Sequence, residues 1–107
     1  MYTRNSDKEY GSAGEGAVRK VLSYSPDLMA CELLFEPGAV GAMHSHPHQQ
    51  IGYIISGSLV YHEEGQPDVT LGEGDTYIVA PNVMHGINCL TSVKLLDIFT
   101  PMREDFI

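Results

Sequence analysis

The sequence contains no tryptophan, only two cysteines and few basic residues. Six lysines and arginines stand against 14 acidic residues, which gives a formal net charge of −8. This balance argues against a nucleic-acid-binding or anionic-membrane-binding surface, because both require clustered positive charge. A small acidic substrate is still compatible with it, since one arginine and a metal ion reverse the sign of the charge locally.

Other features of secreted and membrane proteins are also missing. Cys31 and Cys89 form no Cys-x-x-Cys pair, which indicates free thiols in a reducing compartment. Residues 1–8 have no apolar run behind their charges, so we expect no signal peptide. No apolar stretch approaches the length of a membrane span. The sequence therefore predicts a cytoplasmic protein with no membrane partner.

Short apolar stretches separated by glycine and proline turns predict an all-β fold with antiparallel sheets. No stretch of any length has helical periodicity. Residues 1–16 are polar and glycine-rich, which predicts a flexible N-terminal arm, or an arm that orders against a partner subunit. A single domain is expected over residues 17–107. Its strands are predicted at 18–24, 28–36, 51–55, 58–62, 69–71, 76–80, 86–90 and 93–99.

Histidines provide the clearest chemical signal in the chain. His44 and His46 are two residues apart, so both rings lie on the same side of an extended strand. Gln50 follows with an amide oxygen that can bind a metal, although the amide oxygen of the neighbouring Gln49 is an alternative ligand. Together with His85, far along the chain, these side chains are suited to one divalent metal ion.

Strand 93–99 carries a carboxylate among apolar residues. Asp97 shares one face with Leu95 and Phe99, which favours an inward position near the metal, where proton-transfer groups are tuned. Leu96 and Ile98 make the opposite face apolar as well. The alternation therefore leaves open whether Asp97 lies inside or outside.

Two further side chains are candidates for contact with a substrate. Arg103 carries a planar guanidinium suited to a two-point hydrogen bond with a sugar carboxylate. The alternative is a surface ion pair with Glu104 or Asp105. Tyr53 is first of all a strand-forming residue, and it is also a candidate pocket residue.

The histidine motifs resemble those of the cupin family. The first motif is Gly38-x5-His44-x-His46-x3-Gln50-x6-Gly57, and the second is Gly74-Asp75, Pro81-Asn82 and His85. The resemblance implies a double-stranded β-helix, or jelly-roll barrel, of antiparallel sheets. It also implies one divalent metal ion (zinc, nickel, manganese or iron) held by His44, His46, Gln50 and His85.

The chain departs from the usual cupin motifs at three positions. Gln50 replaces the glutamate of the first motif, which leaves the site one negative charge short and favours an anionic substrate. Ala80 and Asn82 replace a proline and a glycine of the second motif. Asparagine also tolerates the backbone geometry that a turn glycine supplies.

A closer resemblance covers residues 15–107. The run His-Ser-His-Pro-His with its following glutamine, and the ending at 96–107, are similar to the small pectin-degradation cupins. The resemblance implies metal-dependent ring opening and ketonisation of 4,5-unsaturated uronates from pectin or alginate breakdown. It implies that Asp97 and Arg103 are catalytic, that Phe99 and Arg103 contact the acidic sugar, and that the protein is a homodimer. Two alternatives are a cupin oxygenase with a redox metal and a non-catalytic sugar-binding cupin.

Overall fold

The computed structural model describes residues 1–107 and contains ten β-strands. Single 3₁₀ turns, at Asn5–Asp7 and Glu104–Phe106, lie near the two ends of the chain. No helix in the structure has the length and apolar character needed to cross a membrane. The strands are β1 (Gly11–Ser12), β2 (Ala17–Ser25), β3 (Leu28–Phe35), β4 (Val40–His44), β5 (Gln49–Ser56), β6 (Ser58–Glu63), β7 (Val69–Gly72), β8 (Thr76–Val79), β9 (His85–Cys89) and β10 (Val93–Thr100).

The strands form two antiparallel sheets that enclose one apolar core. The six-stranded sheet has the order β1-β2-β3-β10-β5-β8, and the four-stranded sheet has the order β4-β9-β6-β7. Core residues come from both sheets and include Met29, Cys31, Ile54, Leu59 and Leu95. This architecture confirms the predicted jelly-roll barrel, in which alternate residues of each strand point into the core.

Every predicted strand is present within a few residues of its expected bounds, but β1 and β4 were not predicted. β4 contains small or exposed residues, so its sequence lacks the alternation of a half-buried strand. It is held by antiparallel pairing with β9. A Cβ atom at Gly41 would lie 2.9 Å from a side-chain carbon of Ile87, so this close approach of the strands requires glycine.

Strand β10 is the centre of the larger sheet. It pairs with β3 on one side and β5 on the other, so Asp97 has Cys31 and Gly52 as its two register partners. A Cβ atom at Gly52 would lie 2.3 Å from the ring of Tyr77. Glycine at this position therefore lets the Tyr77 ring extend into the space beside Asp97.

The N-terminal segment 1–16 lies against the outer face of the larger sheet. Tyr10 donates a short hydrogen bond to Glu32, and Asn5 donates a second one to the same carboxylate over 3.2 Å. Lys20 donates to the Asn5 side chain over 2.8 Å, and β1 pairs with the start of β2. These contacts bury Glu32 on a face that would otherwise be exposed. The crossing of this segment to a partner subunit stays a prediction.

Candidate metal centre and cavity

Antiparallel pairing in the smaller sheet brings two predicted ligands together. His44, at the end of β4, lies directly opposite His85 at the start of β9. Their ring centroids are 4.4 Å apart, and the centroid of His46 is 4.9 Å from that of His85. Ligand nitrogens of all three rings lie within 4.8 Å of one another. The structure thus gathers the three histidines that the sequence spacing selected.

A turn before β9 joins the two histidine segments. The amide of Asn82 donates to the carbonyl of His46 over 2.8 Å. Asn82 has a φ of 66°, in the left-handed region that asparagine enters more readily than most residues. Asparagine therefore supplies the backbone geometry expected of the glycine in the cupin motif, and the turn is fixed beside the cluster.

Backbone carbonyls fix the protonation of the three rings. The Nδ1–H groups donate to carbonyls two residues away, over 2.8 Å for His44, 3.0 Å for His46 and 2.9 Å for His85. Because a carbonyl can only accept, each Nδ1 carries a proton, which in a neutral ring leaves the lone pair on Nε2. Such acceptors behind the ring are typical of metal-ligating histidines.

Gln50 connects this cluster to Asp97. Its Nε2 amide donates to Oδ1 of Asp97 over 3.0 Å, so its oxygen Oε1 faces Nε2 of His46 at 2.9 Å. Both of these facing atoms are acceptors, and their contact requires a proton or a cation between them. Burial lowers the pKa of His46, which disfavours a second proton on that ring.

These contacts fit a bound metal ion. Nε2 of His85 is buried with no hydrogen-bond partner, which is costly unless an ion satisfies its lone pair. A cation would also resolve the acceptor–acceptor contact between His46 and Gln50. Three imidazoles and one amide oxygen suit first-row divalent metals such as zinc, nickel, manganese or iron. The residues present therefore fit the metal that the sequence predicts.

The cluster borders a cavity of about 410 Å³, within the size range of small-molecule sites. Strands of both sheets line it. His44, Gln50 and His85 face the cavity from the metal-ligand cluster, and Asp97 and Phe99 face it from β10. The cavity thus brings the predicted ligands and the predicted substrate-contacting residues of β10 to one space.

Asp97 points inward, which settles the ambiguity that the strand alternation leaves open. The residue is only 7% exposed and lines the cavity. Burial raises the pKa of Asp97 to about 7, although the Gln50 hydrogen bond and the charges of Arg103 and Arg19 act in the opposite direction. A carboxyl group with such a pKa gains and loses a proton readily near neutral pH.

Phe99 and Arg103 lie together at the wall of the cavity. The guanidinium carbon of Arg103 is 5.2 Å from the centroid of the Phe99 ring. Arg103 also donates from Nε and Nη2 to the two carboxylate oxygens of Asp105, over 3.0 and 2.8 Å. Arg103 thus forms the ion pair within its own tail and also lines the cavity, and its contact with a sugar carboxylate stays a prediction.

Tyr53 does not lie at this site. The two-residue period of β5 points Gln50, Gly52 and Ile54 inward and leaves Tyr53 on the outer face, where it is 41% exposed. The expectation that Tyr53 binds substrate therefore disagrees with the structure. The position of Gln50 on the same strand already contained this information, since residues at odd separation face opposite ways.

The cavity wall also includes Arg19, Tyr77 and Phe106, which were not among the predicted site residues. Arg19 shares the inward face of β2 with Ala17 and Val21. An arginine that alternates with apolar residues in this way could have identified it as a cavity residue. Phe106 lies in the C-terminal 3₁₀ turn, whose path the sequence did not indicate.

Comparison with known proteins agrees with this geometry. A family model described as the cupin domain matches residues 31–99. The pectin degradation protein KdgF of Dickeya dadantii is 36% identical over 99% of this chain and 97% of its own. The solved structure of KdgF from Halomonas sp. has a TM-score of 0.94 and 33% identity, and covers 100% of this chain and 98% of that one. An RmlC-like cupin from Shewanella frigidimarina has a TM-score of 0.95 and 34% identity, with coverage of 100% and 96%.

We predict that the His85→Ala variant loses tight binding of divalent metal. The change removes a direct ligand, so the loss should exceed the roughly 10- to 100-fold caused by removing a partner behind a ligand. Zinc affinity, measured by competition with a chromophoric chelator, checks this. The matched control is His62→Ala, because His62 pairs with Asp68 away from the cluster. Equal affinity of His85→Ala and the unmodified protein would contradict the metal assignment.

Proposed function

The chain belongs to the cupin family, and within it to the KdgF-type pectin degradation proteins, so we propose that it acts on a sugar acid released from pectin. The proposed reaction is the ring opening and ketonisation of a 4,5-unsaturated uronate, including those released from alginate. The observation that carries this proposal is the buried Asp97 carboxylate, which shares one cavity with the histidine–glutamine cluster. The free cysteines and the small acidic substrate are compatible with a cytoplasmic enzyme.

The four proposed ligands would hold one divalent ion beside the substrate. Such an ion supplies a Lewis acid that stabilises negative charge on a substrate oxygen. Imidazole and amide ligands carry no charge, so His44, His46, His85 and Gln50 would not cancel the charge of the ion. An anionic sugar is therefore favoured over a neutral one at this position.

Asp97 is the proposed proton-transfer group. Its Oδ1 accepts the Gln50 amide hydrogen, and the side chain lines the cavity. Asp97 takes the proton of the anomeric hydroxyl, the bond from carbon 1 to the ring oxygen breaks, and carbon 1 becomes an aldehyde. The electron pair passes to the former ring oxygen as an enolate. Addition of a proton at carbon 4 gives the ketone, so the overall change is an isomerisation.

Phe99 and Arg103 are proposed to position the sugar. Phe99 presents its ring as an apolar wall to one face of the substrate. Arg103 is oriented by the two hydrogen bonds to Asp105, which leaves Nη1 available for a carboxylate oxygen. These roles do not require a redox change.

Proton NMR of the metal-loaded protein with 4,5-unsaturated galacturonate tests the reaction. We expect the vinyl proton signal to disappear faster than in the spontaneous reaction. A chelator should abolish the acceleration, and added divalent metal should restore it. No acceleration by the metal-loaded protein would contradict the proposal, and oxygen uptake with small-molecule acids would then test the oxygenase alternative.

We predict that Asp97→Asn keeps its metal and loses about 100-fold or more of its turnover, in line with general acid–base contributions. Asparagine preserves the side-chain shape and still accepts the Gln50 hydrogen bond, so the fold and the ligand cluster should be unchanged. Turnover by NMR and metal content by elemental analysis check both parts. The control is Asp27→Asn in an exposed turn. Near-normal turnover of Asp97→Asn would remove this residue from the mechanism.

The functional unit is proposed to be a homodimer. The outer face of the larger sheet has a row of apolar side chains, Ala30, Ile98, Ile51 and Ile78, that are adjacent in the strand register. Ile78 and Ile51 are 58% and 41% exposed. A row of this kind on the face of a sheet is suited to a second copy of the same surface.

We predict that Ile78→Lys converts the protein to a monomer, because a charge within an apolar interface must be desolvated. Sedimentation velocity measures the change in mass. Val69→Lys is the matched control, since Val69 is similarly exposed at 44% but lies on the smaller sheet. An unmodified protein that sediments as a monomer would contradict the homodimer.

A further inference from the structure

A second guanidinium, that of Arg19, reaches the cavity from strand β2 of the larger sheet. Arg19 lies in β2 between two inward-facing residues, Ala17 and Val21, and lines the same cavity as Asp97. Strand interiors rarely carry an arginine on the core side unless it is paired or serves a ligand. The position of this side chain therefore requires an explanation.

The guanidinium of Arg19 forms no ion pair or hydrogen bond within the protein. The salt bridges of the structure involve only His62, Lys94 and Arg103 as the positive partners. The guanidinium of Arg19 instead stacks on the ring of Phe106, with its central carbon 3.6 Å from the ring centroid. Stacking leaves the in-plane N–H donors of the guanidinium free to point into the cavity.

Arg19 and Arg103 differ in how many of their donor groups are already paired. Arg103 also contacts the Phe106 ring, at 4.3 Å, but Asp105 already holds two of its donor groups. Burial lowers the pKa of Arg19 and the positive charge of Arg103 acts in the same direction, whereas the charges of Asp105 and Asp97 act against them. A half-buried cation beside another cation gains from an anion more than an exposed one does.

We propose that Arg19 binds the carboxylate of the acidic sugar, with its donors supplementing those of Arg103. The Phe106 ring holds both guanidinium groups at one end of the cavity, and the metal-ligand cluster lies at another part of its wall. Arg19 is then a binding residue that selects uronates over neutral sugars. This inference rests on the proposed function, because it takes a sugar acid as the ligand.

Binding of galacturonate and of its neutral counterpart galactose to the metal-loaded protein tests the role of Arg19. We expect the unmodified protein to prefer galacturonate in calorimetric titrations. Arg19→Gln should weaken galacturonate binding about 10- to 100-fold, as expected for loss of hydrogen bonds to a charged group. Its affinity for galactose should not change, and Arg19→Lys should retain part of the preference because it keeps the charge.

Controls separate this inference from the proposed reaction. Arg4→Gln removes an exposed arginine that stacks only on Tyr2, and it should bind both sugars as the unmodified protein does. Metal content and thermal unfolding of Arg19→Gln report whether the variant is folded. Unchanged galacturonate binding in folded Arg19→Gln, or no preference for the acid in the unmodified protein, would overturn the role of Arg19. Arg19-dependent binding without turnover of the unsaturated sugar would instead leave Arg19 in place and reject the reaction.

Discussion

The burial of polar side chains between two apolar sheets is the constraint on which this site depends. His46, Gln50, His85 and Asp97 are all buried, so each polar atom must find a partner. Most of these needs are met within the protein, by backbone carbonyls behind the rings and by the Gln50 amide on Asp97. Nε2 of His85, in the metal-ligand cluster, has no hydrogen-bond partner, and Nε2 of His46 faces the Gln50 oxygen, another acceptor. The same requirement therefore orients the side chains and leaves a position that a metal ion would fit.

The local charge of the cavity differs from the charge of the chain. The protein has a net charge of −8, yet two guanidinium groups, those of Arg19 and Arg103, line the cavity. The aromatic ring of Phe106 contacts both of them, which keeps two like charges at one end of the cavity without a carboxylate for each. An acidic protein can thus provide a cationic pocket for a small acid.

The two halves of the outer face of the larger sheet differ in whether the chain itself covers them. On one half, the N-terminal segment covers Glu32 with hydrogen bonds from Tyr10 and Asn5, and Lys94 adds an ion pair at 3.4 Å. On the other half, Ile51 and Ile78 remain exposed in an apolar row. The first half is satisfied within the chain, whereas burial of the second half requires another molecule.

The sequence by itself determined the β-class of the fold, most strand positions, and the histidines that gather at one centre. These features can be read along the chain, because apolar and polar residues alternate with a period of two and the histidine motifs have a fixed spacing. Where both faces of a strand are apolar, as around Asp97, only the tertiary structure decided which face points into the core. Strand β4 and the stacking of Arg19 on Phe106 were also not predicted from the sequence. Each depends on contacts between segments far apart in the chain, and only the closure of the two sheets brings those segments together.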